Sequence, residues 1–243
     1  MGDLLPCVEV AAGGPITGAV IWLHGLGADG HDFEPIVPAL RLRDIGLRFV
    51  FPHAPRRPVS INMGLIMRAW FDVRGLDFKK DVDEKGIRES VGQVAALVAR
   101  ERERGIASRR IVLAGFSQGG AIALQVALGN PEPLAGVVAL STHLPGGATI
   151  VPGPPGAARP LPVFQAHGTD DPLIPLERGE ETRDRLRDLG CEVTWKSYPM
   201  EHEVCAEEVA AVGDWLRGRL ASGASPGPSS AEGTDETAPA LTP

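Results

Sequence analysis

A serine at the centre of a glycine-flanked motif is the first residue that could do chemistry. Gly115-Phe-Ser117-Gln-Gly119 matches the pattern G-x-S-x-G, in which a serine on a sharp strand-to-helix turn presents its hydroxyl above a sheet. The context supports this interpretation, because the apolar run Ile111–Phe116 precedes the motif and a run of small residues that can start a helix follows it. We predict that Ser117 is a nucleophile; the alternative is a glycine-rich turn without chemistry.

A serine hydroxyl needs a base to take its proton and a carboxylate to orient that base. In this strand-turn-helix setting the expected chain order is serine, aspartate, histidine. Of the three histidines after the serine (His143, His167 and His202), only His202 also follows the adjacent pair Asp170 and Asp171. We therefore predict His202 as the base, with a surface histidine as the alternative. Spacing alone does not separate the two aspartates.

Two backbone N–H groups should stabilise the negative oxygen that forms when a serine attacks a carbonyl. One is expected from the residue after the nucleophile, which is Gln118. The other is expected from a loop after an early strand, and Leu26, in the sequence His-Gly-Leu-Gly, is placed to supply it. A plain glycine turn is the alternative for this loop.

The sequence predicts no metal and no cofactor. The neighbouring residues His24, Asp29, His31 and Asp32 do not follow a known ligand spacing. The three cysteines are odd in number and lack C-x-x-C spacing, which argues against a disulfide framework and a zinc site. The N-terminus has no signal-peptide pattern, so we expect a cytoplasmic protein.

Apolar runs alternate with segments of helical periodicity, which predicts an α/β fold with a mostly parallel central sheet and helices on both faces. The predicted strands are Ala19–Leu23, Leu47–Phe51, Ile111–Phe116, Val137–Leu140, Leu161–Ala166 and Val193–Tyr198. The predicted helices are Gly86–Arg104, Ala121–Leu128, Leu176–Leu189 and Val204–Leu220. One domain is expected over residues 1–221, with a Gly/Pro-rich surface loop at Leu144–Pro162 and a disordered tail over 222–243.

Net charge argues against nucleic acid as a partner, and the length of the apolar runs argues against insertion into a membrane. The net charge of −7 gives no footprint for nucleic acid. The densest basic run, Arg100–Arg104, alternates its signs, and we interpret it as a solvated helix face. No apolar run is long enough to span a membrane. A homodimer is compatible with the chain, although no sequence feature indicates one.

Six segments, in this order, resemble the phospholipase/carboxylesterase family of α/β-hydrolases, which includes bacterial carboxylesterases and acyl-protein thioesterases. The segments are Leu23–Gly30, Ala69–Asp72, Gly115–Gly120, Ser141–Pro145, His167–Pro175 and Tyr198–Glu203. The resemblance implies an α/β-hydrolase fold and a metal-independent catalytic triad. It places the nucleophile on Ser117, the base on His202 and the acid on Asp171, which selects Asp171 over Asp170. The family's oxyanion donors correspond to Leu26 and Gln118.

Four residues beside the Trp-Phe-Asp segment are candidates for an acyl pocket. They are Leu65, Met67, Trp70 and Leu76. Packing in the core is the alternative for them. We expect a serine carboxylesterase that acts on small to medium acyl esters. An acyl-protein thioesterase or lysophospholipase is the alternative within the enzyme class, and a hydrolase-fold binding protein without activity is the alternative outside it.

Overall fold

Nine strands and four helices lie in residues 4–75, 82–145 and 160–221, which are the residues that the computed structural model describes. The strands are β1 (Cys7–Ala12), β2 (Gly18–Leu23), β3 (Leu47–Pro52), β4 (Arg56–Val59), β5 (Leu65–Arg68), β6 (Ile111–Phe116), β7 (Gly136–Leu140), β8 (Pro162–Gly168) and β9 (Glu192–Tyr198). The helices are α1 (Glu84–Glu103), α2 (Gln118–Gly129), α3 (Leu176–Asp188) and α4 (Ala206–Leu220).

Seven strands form one central sheet in the order β1-β3-β2-β6-β7-β8-β9. The edge strand β1 runs antiparallel to β3, and every other neighbouring pair in this sheet is parallel. This confirms the predicted mostly parallel sheet. Because parallel strands end at the same edge of a sheet, the loops after β2, β6, β8 and β9 come together there.

Two apolar cores cover the two faces of the sheet, as the apolar character of the central strands requires. Strand β2 shows the division, because Ile21 and Leu23 point into one core and Val20 and Trp22 into the other. Helices α1, α2 and α3 contribute buried residues to the first core, and α4 contributes Leu216 and others to the second. The predicted arrangement of helices on both faces is therefore confirmed.

Three strands were not predicted. Strand β1 is only partly buried and extends one edge of the sheet. Strands β4 and β5 form a separate two-stranded hairpin outside the central sheet. The predicted tail, 222–243, and residues 146–159 of the predicted loop lie outside the described residues.

The interpretation of Arg100–Arg104 as a solvated helix face was wrong for part of this segment. Glu101 is fully buried. Its carboxylate accepts hydrogen bonds from Arg48 Nη1 at 2.7 Å and from Arg104 Nη1 and Arg100 Nη2 at 3.1 Å. The alternating charges therefore form an ion-pair cluster that joins α1 to β3, because a buried carboxylate requires such partners.

Among the helices in the described residues, none has the length and apolar character that crossing a membrane requires.

Candidate active site

Ser117 occupies a strained turn between β6 and α2. Its backbone has φ 53° and ψ −123°, a conformation that is rare for any residue except glycine. The flanking glycines make this turn possible: a Cβ atom on Gly115 would lie 2.4 Å from the backbone carbon of Gly119, and a Cβ atom on Gly119 would lie 2.4 Å from the carbonyl oxygen of Leu23. The motif glycines are therefore required by close backbone packing.

The structure brings Ser117, His202 and Asp171 together from three different loops. The Oγ atom of Ser117 lies 2.9 Å from Nε2 of His202. The other ring nitrogen of His202, Nδ1, lies 2.7 Å from Oδ2 of Asp171. In this arrangement the carboxylate can hold a proton on Nδ1, and Nε2 can then accept the proton of the serine hydroxyl.

The loops that carry Asp171 and His202 are fastened to each other by their backbones. The N–H of Thr169 donates to the carbonyl oxygen of Tyr198 at 2.8 Å, and the N–H of Asp170 donates to that of Met200 at 3.1 Å. The side chain of Asp170 points elsewhere and contacts the hydroxyl of Thr169. Of the two neighbouring aspartates, Asp171 is the one whose side chain meets the histidine.

Leu26 and Gln118, the predicted oxyanion donors, both line the cavity in which Ser117 lies. Neither backbone N–H donates a hydrogen bond to any of the described residues. Gln118 is the first residue of α2, and the first N–H groups of a helix have no partner within it. Two unpaired N–H groups beside a serine hydroxyl can stabilise the negatively charged oxygen that would form if that hydroxyl attacked a carbonyl.

The cavity above Ser117 has a volume of about 450 Å³. Apolar side chains from several loops contribute much of its wall. They include Leu26, Ala28, Ile61, Phe71, Val73, Val82, Phe116, Pro145, Leu173 and Ile174. A cavity with apolar walls and a few polar groups at one point suits an acyl chain with a single reactive carbonyl.

The three predicted acyl-pocket residues that the structure describes, Leu65, Met67 and Trp70, do not line this cavity. Trp70 is fully buried at 0% exposure, and its indole ring packs against His24, so packing in the core was the correct alternative. Leu65 is 63% exposed on the β4–β5 hairpin, and Met67 lies on the same hairpin beside Gly27. Leu76 lies outside the described residues.

Sequence reasoning did not assign most of the residues that form the apolar wall. Ile61 follows the short strand β4, and Phe71 and Val73 follow β5. Leu173 and Ile174 come directly after Asp171 in the chain, so their nearness to the predicted acid was a usable signal. Phe71 stands in the Ala69–Asp72 segment that resembles the family, which was also a usable signal. Ile61 and Val73 could not be found, because no pattern in the sequence places them over the serine.

A second histidine, His143, also lines the cavity. Burial lowers the pKa of its imidazole to about 4, since a charged ring is poorly solvated there. His143 is therefore neutral at physiological pH and adds no positive charge to the cavity. Among the described residues, no group of three or more histidine, cysteine, aspartate or glutamate side chains is arranged to hold a metal ion.

Comparison with known proteins identifies the family. A family model described as phospholipase/carboxylesterase matches residues 6–219. The chain belongs to this family. Acyl-protein thioesterase 1 of Gibberella zeae is 38% identical over 229 residues, covering 90% of this chain and 97% of that protein. Acyl-protein thioesterase 1 of Cryptococcus neoformans is 39% identical over 217 residues, covering 82% of this chain and 91% of that protein.

Solved structures of similar proteins share the fold of this phospholipase/carboxylesterase family member. SOBER1 of Arabidopsis thaliana has a TM-score of 0.77 at 33% identity and covers 84% of this chain and 99% of its own. Acyl-protein thioesterase 2 of Zea mays has a TM-score of 0.74 at 29% identity and covers 88% of this chain and 99% of its own. The predicted α/β-hydrolase fold is thus confirmed, and so is the predicted enzyme class, a hydrolase of ester or thioester bonds.

Proposed function

We propose that this protein is a serine hydrolase that cleaves carboxylic esters of small to medium acyl groups through Ser117, His202 and Asp171. The observation that carries the proposal is the continuous chain of contacts from Ser117 Oγ through both nitrogens of His202 to Asp171, at 2.9 and 2.7 Å, within a cavity with apolar walls. The proposed cellular location is the cytoplasm, and no cofactor is needed for this chemistry.

The proposed reaction has two halves. Ser117 Oγ attacks the acyl carbonyl while its proton moves to Nε2 of His202, and the backbone N–H groups of Leu26 and Gln118 stabilise the negative oxygen. The proton then passes to the leaving alcohol or thiol, which departs and leaves the acyl group on Ser117. A water molecule repeats the sequence, and the products are the carboxylic acid and the free enzyme.

A second candidate is an acyl-protein thioesterase that removes acyl groups from cysteine side chains. The names of the relatives favour it, since two fungal acyl-protein thioesterases match most of this chain at 38% and 39% identity. The same serine chemistry serves both bonds, so the two candidates differ only in the leaving group and in the surface that a protein substrate would contact.

Steady-state hydrolysis of p-nitrophenyl esters of increasing acyl length, compared with S-acylated peptides, tests the proposal. Each methylene that enters the apolar cavity should raise kcat/KM about fourfold until the cavity is full, from about 0.8 kcal/mol per buried methylene. Ser117→Ala should lower kcat by about 10³-fold or more. The matched control is Ser197→Ala, at an exposed position on β9. Equal activity of Ser117→Ala and the wild type would refute the proposal, and faster turnover of S-acyl peptides would favour the second candidate.

A further inference from the structure

One short segment, Arg68–Phe71, touches both of the loops that carry the proposed oxyanion donors. We propose that this segment is a brace that sets the distance between the two donor N–H groups, with Trp70 and the side chain of Gln118 as its positioning residues. This inference rests on the proposed function, because it assigns a role in stabilising the oxyanion.

The first half of the brace holds the donor on α2. The side-chain oxygen of Gln118 accepts a hydrogen bond from the backbone N–H of Trp70 at 2.8 Å, and its side-chain nitrogen donates to the carbonyl oxygen of Phe71 at 2.8 Å. Both ends of the buried amide are therefore used, which fixes its orientation. Gln118, which supplies the donor N–H, is therefore hydrogen-bonded to the brace through its own side chain.

The second half of the brace positions the other proposed donor, Leu26, on the loop after β2. The indole Nε1 of Trp70 donates to the carbonyl oxygen of His24 at 2.9 Å. The N–H of Gly27 donates to the carbonyl oxygen of Arg68 at 2.9 Å. These two bonds lie on either side of Leu26 in the chain, at His24 and at Gly27, so the brace fixes the loop both before and after its donor.

The buried ring of His24 also stabilises the loop after β2 through hydrogen bonds. Its Nε2 accepts a hydrogen bond from the N–H of Ala54 at 3.1 Å, so its Nδ1 carries the proton and donates to the carbonyl oxygen of Gly25 at 2.7 Å. Burial lowers the pKa of His24 to about 4, which keeps the ring in this neutral form. The loop is therefore held by the brace on one side and by a fixed imidazole on the other.

Trp70 is itself fully held. Its indole and its backbone N–H are bonded as described, and its carbonyl oxygen accepts a hydrogen bond from the hydroxyl of Ser90 on α1. A buried residue whose polar groups are all paired cannot shift without losing several bonds. Because an oxyanion donor works only near its ideal distance, a displaced brace should lower the rate of the chemical step more than substrate binding.

Matched pairs of variants can separate this role from ordinary core packing. Trp70→Phe removes the bond to His24, whereas Trp22→Phe removes an equally buried indole N–H that has no hydrogen-bond partner among the described residues. Gln118→Met removes the clamp but keeps the backbone N–H. Its control is Gln125→Met in the same helix, where the buried side-chain nitrogen has no partner in the described part of the chain.

The experiment measures kcat and KM for a p-nitrophenyl ester, together with the affinity for a trifluoromethyl ketone that forms a tetrahedral adduct on a serine. We expect each brace variant to lower kcat about 10–100-fold with KM changed less than about threefold. The ketone should bind more weakly by the same factor as the loss in kcat/KM, since the adduct carries the oxyanion. Both control variants should match the wild type in both measurements.

Circular dichroism shows which variants fold, and Gln118→Met keeps the test open if Trp70→Phe does not. Folded brace variants with wild-type kcat and wild-type ketone affinity would overturn the inference, as would a loss of kcat without a loss of ketone affinity. An inert wild type would overturn the proposed function and this inference together, whereas an active wild type with unaffected brace variants would overturn the inference alone.

Discussion

Asp171 shows how a single side chain can be fixed for one task. Its Oδ1 atom accepts hydrogen bonds from the backbone N–H groups of Leu173 and Ile174, both at 2.9 Å, and its Oδ2 atom faces His202. Nε2 of His167 donates to the carbonyl oxygen of Ile174 at 2.8 Å and so closes the same turn. These hydrogen bonds therefore fix the orientation of the Asp171 carboxylate toward His202.

Asp171→Asn should lower kcat by about 10²–10⁴-fold with little change in stability. The new amide would replace an acceptor by a donor where it meets Nδ1 of His202, which favours the tautomer that cannot accept the serine proton. The control is Asp170→Asn, because the exposed side chain of Asp170 accepts a hydrogen bond from Thr169 and not from His202. If the Asp170 variant were the inactive one in a comparison of kcat, the assignment of the acid would be wrong.

At the scale of elements, the apolar central strands were predicted well and the short hairpin strands were missed. The central strands are apolar on both faces, and their predicted limits differ from the observed ones by at most two residues. The hairpin strands β4 and β5 are four residues each, and β4 contains Pro58, so neither shows a clear pattern. Helix α2 begins three residues earlier than predicted, because the turn at Ser117 leads directly into it.

Helix α4 contains a buried acid, Glu208. Both carboxylate oxygens of Glu208 are buried and have no hydrogen-bond partner among the described residues. Burial raises the pKa of Glu208 from 4.5 to about 8, because an unpaired charge is poorly solvated there. The same surroundings, with Glu208 nearby, raise the pKa of Tyr198 to about 12.

The raised pKa of Glu208 predicts that stability falls as pH rises from about 4.5 to about 8, because the folded state keeps a proton that the unfolded state releases. Glu208→Gln should remove this dependence. The free energy of unfolding of the variant, relative to that of the wild type, should be roughly 2–4 kcal/mol higher at pH 8 than at pH 5. Urea unfolding at both pH values measures it, with Glu207→Gln, at an exposed position on the same helix, as the control. The same pH dependence in Glu208→Gln as in the wild type would contradict this explanation.

At the scale of the whole molecule, the sequence could predict which loops meet but not how they are held together. Parallel strands place their carboxyl ends at one edge, so Ser117, Asp171 and His202 were expected there although they are far apart in the chain. The bonds of Trp70 to His24 and Gln118 span 46 and 48 residues. No local pattern encodes such contacts, and Trp70 was therefore assigned to the acyl pocket rather than to the core behind it.

The measurement that tests the central proposal most directly is covalent labelling of the folded enzyme with an alkyl fluorophosphonate, followed by intact-mass and peptide analysis. An activated serine displaces fluoride and keeps the phosphonyl group. We expect one adduct per chain on the peptide that contains Ser117, no adduct in Ser117→Ala, and much slower labelling in His202→Ala. A folded wild type that stays unlabelled, or that carries its label on another residue while hydrolysing esters, would contradict the assignment of Ser117 as the nucleophile.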